Sequence, residues 1–90
     1  MTRKEILTAA KKCVCGDRDE QYGSPEYSFE TIAKLWEAYI GVAKITASDV
    51  AAMMVLFKIG RIATGQSKDD NWIDIAGYAA CGGEISEVKE

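Results

Sequence analysis

Residues 50–59 read Val-Ala-Ala-Met-Met-Val-Leu-Phe-Lys-Ile, ten positions with a single charge, Lys58. This run limits the fold more than any other feature of the chain. It is too short to cross a bilayer, which takes about 20 apolar residues. It is longer than most strands and does not alternate polar with apolar positions. Just before it, Thr46-x-x-Asp49 reads as a capping box, and Gly65 lies beyond it as a stop signal. The segment is therefore expected to be a helix that is apolar all round. Such a helix is stable only when covered on more than one side. A chain of 90 residues buries about 60–65% of its unfolded surface, so this helix is expected to be the centre of one modest core.

Three further segments carry the 3.6-residue period, and none carries a useful period of two. In residues 2–15 the apolar stripe is Ile6, Ala9, Ala10, Cys13 and Val14, with Gly16 as the stop. The next helix opens at Ser24-Pro25, an N-cap followed by proline at the first helical position. Phe29, Ile32, Ala33, Trp36, Tyr39 and Ile40 share its face, and Gly41 ends it. The last helix opens at Ser67-x-x-Asp70, a second capping box, with Trp72, Ile75, Ala76 and Ala79 as its apolar face. Gly82-Gly83 marks an end or a kink before a polar tail, residues 84–90. The architecture expected is all-α, an antiparallel bundle of three or four helices in a single domain over residues 1–90. Two tryptophans, four tyrosines and two phenylalanines leave aromatic surface over in so small a bundle, so a homo-oligomer is expected, the chain being its own partner.

Composition removes several chemistries. There is no histidine, hence no Ser-His-Asp or Cys-His nucleophile, no imidazole acid or base and no imidazole metal ligand. The net charge of −3 gives no general attraction for DNA, RNA or an anionic membrane. Cys13, Cys15 and Cys81 are odd in number and too few for a four-ligand zinc site, and so read as reduced structural cysteines. Residues 1–12 hold no apolar stretch of signal-peptide length. The expected location is the cytoplasm of a bacterial host cell.

Three places hold residues that a plain bundle does not require. The segment 16–25, Gly-Asp-Arg-Asp-Glu-Gln-Tyr-Gly-Ser-Pro, offers Arg18 as a planar fork for phosphate and Tyr22 as a stacking face. Its plainer reading is a solvated connection. Lys58 and Arg61 stand three apart on one face of the apolar helix, and a cation there needs a partner or a route to water. Asp70, Asp74 and Tyr78 are spaced by four along the last helix, with Asn71 beside them. The short connection 65–69 makes these two helices antiparallel neighbours, bringing Lys58 and Arg61 opposite Asp70 and Asp74. Two readings follow, an interhelical salt bridge or a polar pocket for a ligand. Asp70 and Asp74 can also hold Mg²⁺ through water.

The stretches GDRDEQYGSPEYSFETIAKLW, DVAAMMVLFKIGRIATG and DNWIDIAGYAACGGEI resemble a family of small uncharacterised phage and prophage proteins. The resemblance covers about residues 16–85 and implies an intracellular protein of phage origin. More distantly the chain resembles the all-α, MazG-like nucleoside-triphosphate pyrophosphohydrolases, helical oligomers that hold Mg²⁺ through an EExxE cluster and an ExxD pair. Asp74 matches the aspartate of ExxD. Asn71 stands where the glutamate belongs, and Lys58 and Arg61 lie on the helix that should carry EExxE.

The leading expectation is a protein that binds a nucleotide or nucleotide-derived ligand without a cofactor, through Arg18, Tyr22, Lys58, Arg61, Asn71, Asp74 and Tyr78, with Tyr22, Trp36 or Trp72 stacking on a base. No catalytic residue is assigned. One alternative is a Mg²⁺-dependent pyrophosphohydrolase, with Asp70 and Asp74 joined by Glu30 or Glu37 from a neighbouring helix or subunit. Another is an interaction module that binds a host or phage protein.

Overall fold

The structure, a computed structural model, describes residues 1–16, 24–65 and 69–87. Four helices and no strand occur among the described residues: α1 (Arg3–Cys15), α2 (Pro25–Ile40), α3 (Ala47–Ala63) and α4 (Asp69–Glu87). The all-α bundle expected from the apolar period is the fold observed.

Local chemistry sets the helix ends. At α3 the backbone N–H of Asp49 donates to Thr46 Oγ1 at 3.1 Å, and that of Thr46 donates to Asp49 Oδ2 at 3.0 Å, closing the expected capping box. At α2, Ser24 Oγ accepts from the N–H of Tyr27 at 3.3 Å, and Gly41 closes the helix in the left-handed region at φ 85°. A capping box not identified from the sequence opens α1, between Thr2 and Glu5. The N–H of Thr2 donates to Glu5 Oε1 at 2.7 Å and holds that carboxyl below the usual glutamate range. The box expected at Ser67 falls outside the described residues.

Packing places α4 between α1 and α3, and α3 between α4 and α2. Ala51 of α3 meets Gly82 of α4, and Lys58 meets Asp74, so the two helices run antiparallel. Phe29, Ala33, Val50, Ala51 and Ile85 form the core, with Ile32, Trp36, Met54, Tyr78 and Cys81 packed around it. The core therefore gathers at the lower half of α3 rather than along its whole length. Val50 and Ala51 are buried, but Met53, Leu56, Phe57 and Ile59 are not. The apolar helix is covered from two sides, by α4 and by α2, as expected of a central helix, while Leu56, Phe57 and Ile59 leave the rest of its apolar surface open. On α2 the outer end of the stripe is likewise free, and Tyr39 is 92% exposed.

Helix α4 departs from expectation in two ways. It runs through Gly82-Gly83 to Glu87 without ending. Its buried residues are Asn71, Ile73, Gly77 and Ile85, whereas Trp72 is half exposed. Both departures come from close approach. A Cβ on Gly82 would lie 2.9 Å from Ala51 Cβ, and one on Gly77 would lie 3.2 Å from Val14 Cγ1. The two glycines let α3 and α1 draw near on adjoining sides of α4, and this contact fixes the rotation of the helix. The expected face of Trp72, Ile75, Ala76 and Ala79 is rotated away from it.

This contact has a measurable consequence. A methyl at Gly83 meets nothing within 4 Å, so Gly83→Ala gains the helix propensity of alanine, about 1 kcal/mol. Gly82→Ala gains the same propensity but overpacks against Ala51, at a cost of about 1–3 kcal/mol. Thermal melts at equal protein concentration should rank Gly83→Ala above the wild type and Gly82→Ala below it. Equal melting temperatures for the two variants would remove the close contact as the reason for Gly82.

Candidate functional site: a cleft between α1, α2 and α4

The residues singled out on α3 and α4 do meet. Lys58 Nζ lies 2.9 Å from Asp74 Oδ2, with the lysine side chain 17% exposed and the aspartate 37%. The lysine stem lies along α3 while its ammonium reaches across to α4, which satisfies the one cation of the apolar run. One turn on, the Arg61 guanidinium sits over the Phe57 ring, 5.0 Å from its centroid, with Lys58 Nζ 5.7 Å from the same ring. Among the described residues Arg61 forms no ion pair. Asp70 stays exposed at the start of α4.

Asp74 also faces a cleft of about 300 Å³ between α1, α2 and α4. Ser28 and Phe29 of α2, Cys13 of α1, and Asp74, Tyr78 and Cys81 of α4 line it. The Phe29 and Tyr78 rings are 6.1 Å apart and tilted by 36°, an arrangement that suits aromatic contact. The cleft thus offers ring surface, a phenol, a hydroxyl and a carboxylate whose charge is balanced by Lys58 behind it. A pocket that is mainly apolar with a few convergent polar groups is the usual form of a small-molecule site.

Of the residues expected to bind a ligand, the cleft takes Asp74 and Tyr78, with Lys58 one contact away. Asn71 is not available there. It is 6% exposed and is not without a partner, because the rotation of α4 turns it inward. Trp72 faces outward, and Trp36 is packed against the core. The aromatic surface at the cleft comes instead from Phe29 and Tyr78. Arg18 and Tyr22 lie outside the described residues. Phe29, Ser28, Cys13 and Cys81 were not expected as site residues. Phe29 was visible as the head of the α2 stripe, but only the packing of α2 beside α4 brings it to Tyr78.

Glu30 and Glu37 stand elsewhere. They line a second open cleft of about 620 Å³ with Glu26, Lys34 and Lys44, and it shares no residue with the first. There Glu37 Oε2 accepts from the backbone N–H of Ile45 at 2.6 Å, which ties the end of α2 to the entry of α3. Within one chain these glutamates do not join Asp70 and Asp74. Among the described residues no group of three or more cysteine, aspartate or glutamate side chains is placed to hold a metal. No helix of the described residues is long and apolar enough to cross a membrane.

Comparison with known proteins agrees with the phage resemblance. The model of a family described as "Domain of unknown function (DUF6378)" matches residues 5–86. The "Gene 55 protein" of Mycobacterium phage L5 is 43% identical over 74 residues, 82% of this chain and 47% of that protein. The "Gene 55 protein" of Mycobacterium phage D29 is 37% identical over 84 residues, 93% of this chain and 55% of that protein. The chain spans about half the length of these curated relatives. No solved structure matches.

Proposed function

This chain belongs to the DUF6378 family, and we propose that it binds a nucleotide or nucleotide-derived ligand in the cleft between α1, α2 and α4. The observation that carries the reading is the junction of that cleft with the Lys58–Asp74 pair. A base stacks against Phe29 and Tyr78. The Asp74 carboxylate and the Ser28 and Tyr78 hydroxyls accept from or donate to its polar edge or the ribose. Lys58, held at the wall of the cleft by Asp74, offers its ammonium to a phosphate. The pair of Lys58 and Asp74 is neutral as a unit, so the wall of the cleft does not repel an anion. The distant resemblance to MazG-like pyrophosphohydrolases supports the same ligand class. In a phage protein such binding would serve nucleotide pools, or sequester a nucleotide inside the host cell.

The test is a thermal-shift panel of ribo- and deoxynucleotides, linear and cyclic, each with and without Mg²⁺. A ligand held 100-fold above its Kd adds about 2.7 kcal/mol, and so raises the melting temperature by roughly 10 °C or more in a domain of this size. Asp74→Asn and Ser28→Ala should each reduce that rise. A panel in which no nucleotide stabilises the protein defeats the reading. Release of pyrophosphate in the presence of Mg²⁺ would extend it from binding to hydrolysis.

A further inference from the structure

The wider of the two clefts takes no part in the nucleotide reading. It holds about 620 Å³ between α2, the connection into α3 and the end of α4, a size within the range of ligand pockets. Glu37 Oε2 accepts from the backbone N–H of Ile45 at 2.6 Å, so that carboxylate is spent on fixing the wall. Four other charged groups line the cleft, Glu26, Glu30, Lys34 and Lys44. All four are exposed, and among the described residues none has an ion pair or a side-chain hydrogen bond. This holds although Glu30 precedes Lys34 by the four residues that favour a pair on a helix. The charges are sorted along the cleft. Spacing of four puts Glu26, Glu30 and Lys34 on one face of α2, acids toward its start and the lysine toward its end, and Lys44 follows in the connection. The floor is aliphatic, made by Ile45, Ala47 and the buried side chain of Ile85.

We propose that this cleft binds a short apolar peptide of about three residues with both termini free. Its ammonium meets Glu26 and Glu30, its carboxylate meets Lys34 and Lys44, and its side chains rest on the aliphatic floor. Three observations select that occupant. The first is charge. The unpaired groups are two acids and two cations, so a simple anion or a simple cation meets a like charge at one end. A ligand with both signs, held apart, meets an opposite charge at each end. The second is distance. The midpoint of Glu26 and Glu30 lies about six residues before Lys34, or about 9 Å at 1.5 Å per residue. An extended chain of about three residues spans about 10 Å, whereas the two charges of a single amino acid sit on one carbon and cannot reach both ends. The third is the floor, where apolar side chains bury surface and a charged one finds no partner. The inference stands apart from the nucleotide reading, since the two clefts share no residue.

The probe is the tripeptide Ala-Leu-Ala, titrated to millimolar concentration into the ¹⁵N-labelled 90-residue chain at low salt and pH 7, where the peptide ammonium is mostly protonated. Its N-acetylated and C-amidated forms are titrated alongside. The free peptide should shift the amide signals of Glu30, Lys34, Ile45 and Ile85 saturably and leave those of Cys13 and Tyr78 in place. Blocking either terminus should weaken binding by about threefold or more, the size of effect an exposed charge pair supplies. Glu30→Gln should weaken the free peptide by a similar factor and leave the acetylated one unchanged. Lys34→Met should do the same for the free and the amidated forms. Both side chains are exposed, so circular dichroism of both variants should stay helical. A free peptide that gives no saturable shifts overturns the proposal, as do shifts centred on the first cleft. So do blocked peptides that bind as well as the free one, or a Glu30→Gln effect that persists on the acetylated form.

Discussion

Replacing Phe29 by alanine should lower the stability of this protein by about 3–4 kcal/mol, the range for truncating a buried phenylalanine. Phe29 is 9% exposed. It belongs to the core with Ala33, Val50, Ala51 and Ile85, and it faces Tyr78 across the cleft. Its loss would remove transfer free energy and leave a void that the neighbouring alanines are too short to fill. It would also remove the ring contact with Tyr78, worth about 0.5–1.5 kcal/mol in such pairs. Domains of this size are stable by only about 5–10 kcal/mol, so the melting temperature should fall by about 15–25 °C. Phe29→Leu should recover most of the loss, because a branched aliphatic refills much of the volume. A fall of under 5 °C for Phe29→Ala would mean that the core does not close around this ring.

The second large effect is at the Lys58–Asp74 pair. Asp74→Ala should cost about 1–2 kcal/mol, because it leaves the Lys58 ammonium, on a side chain only 17% exposed, without its carboxylate. Asp74 is itself more than a third exposed, and water there screens the pair, so the figure lies below that for a fully buried one. Lys58→Met should cost less, about 0.5–1 kcal/mol, since the methionine keeps the apolar stem and the remaining carboxylate can hydrate. The double variant should then be no less stable than Asp74→Ala alone, a coupling of about 1 kcal/mol in the mutant cycle. Strict additivity of the two single losses in urea denaturation would show that the contact contributes no coupling.

Part of the candidate site was legible in the sequence. Lys58 and Asp74 were expected to face each other from spacing and a short connection alone, and they do. Arg61 was placed on the same side and found its closest described partner in a ring, Phe57, rather than in an acid. Asn71, Trp72 and Trp36 were assigned to the site on residue type, and the structure places none of the three at the cleft. Trp36 is drawn into the core by the packing of α2, and the other two lie on α4. On α4 apolar and small residues stand on every side, so the period of 3.6 identifies a helix without saying which face is inward.

What the sequence determined by itself was local. The helices and most of their ends rest on contacts within about four residues: capping boxes, an N-cap with proline, a left-handed glycine and the apolar period. The antiparallel course of α3 and α4 followed from the same short range, because few residues separate them. The tertiary structure decided the rotation of each helix and the neighbours it keeps. The bare Cα of Gly82 against Ala51 and that of Gly77 against Val14 draw three helices together at distances no larger residue permits. That approach turns Asn71 inward and Trp72 outward, and packs Phe29 beside Tyr78. Steric fit between segments distant in the chain is a property of the packed whole, which no local pattern encodes.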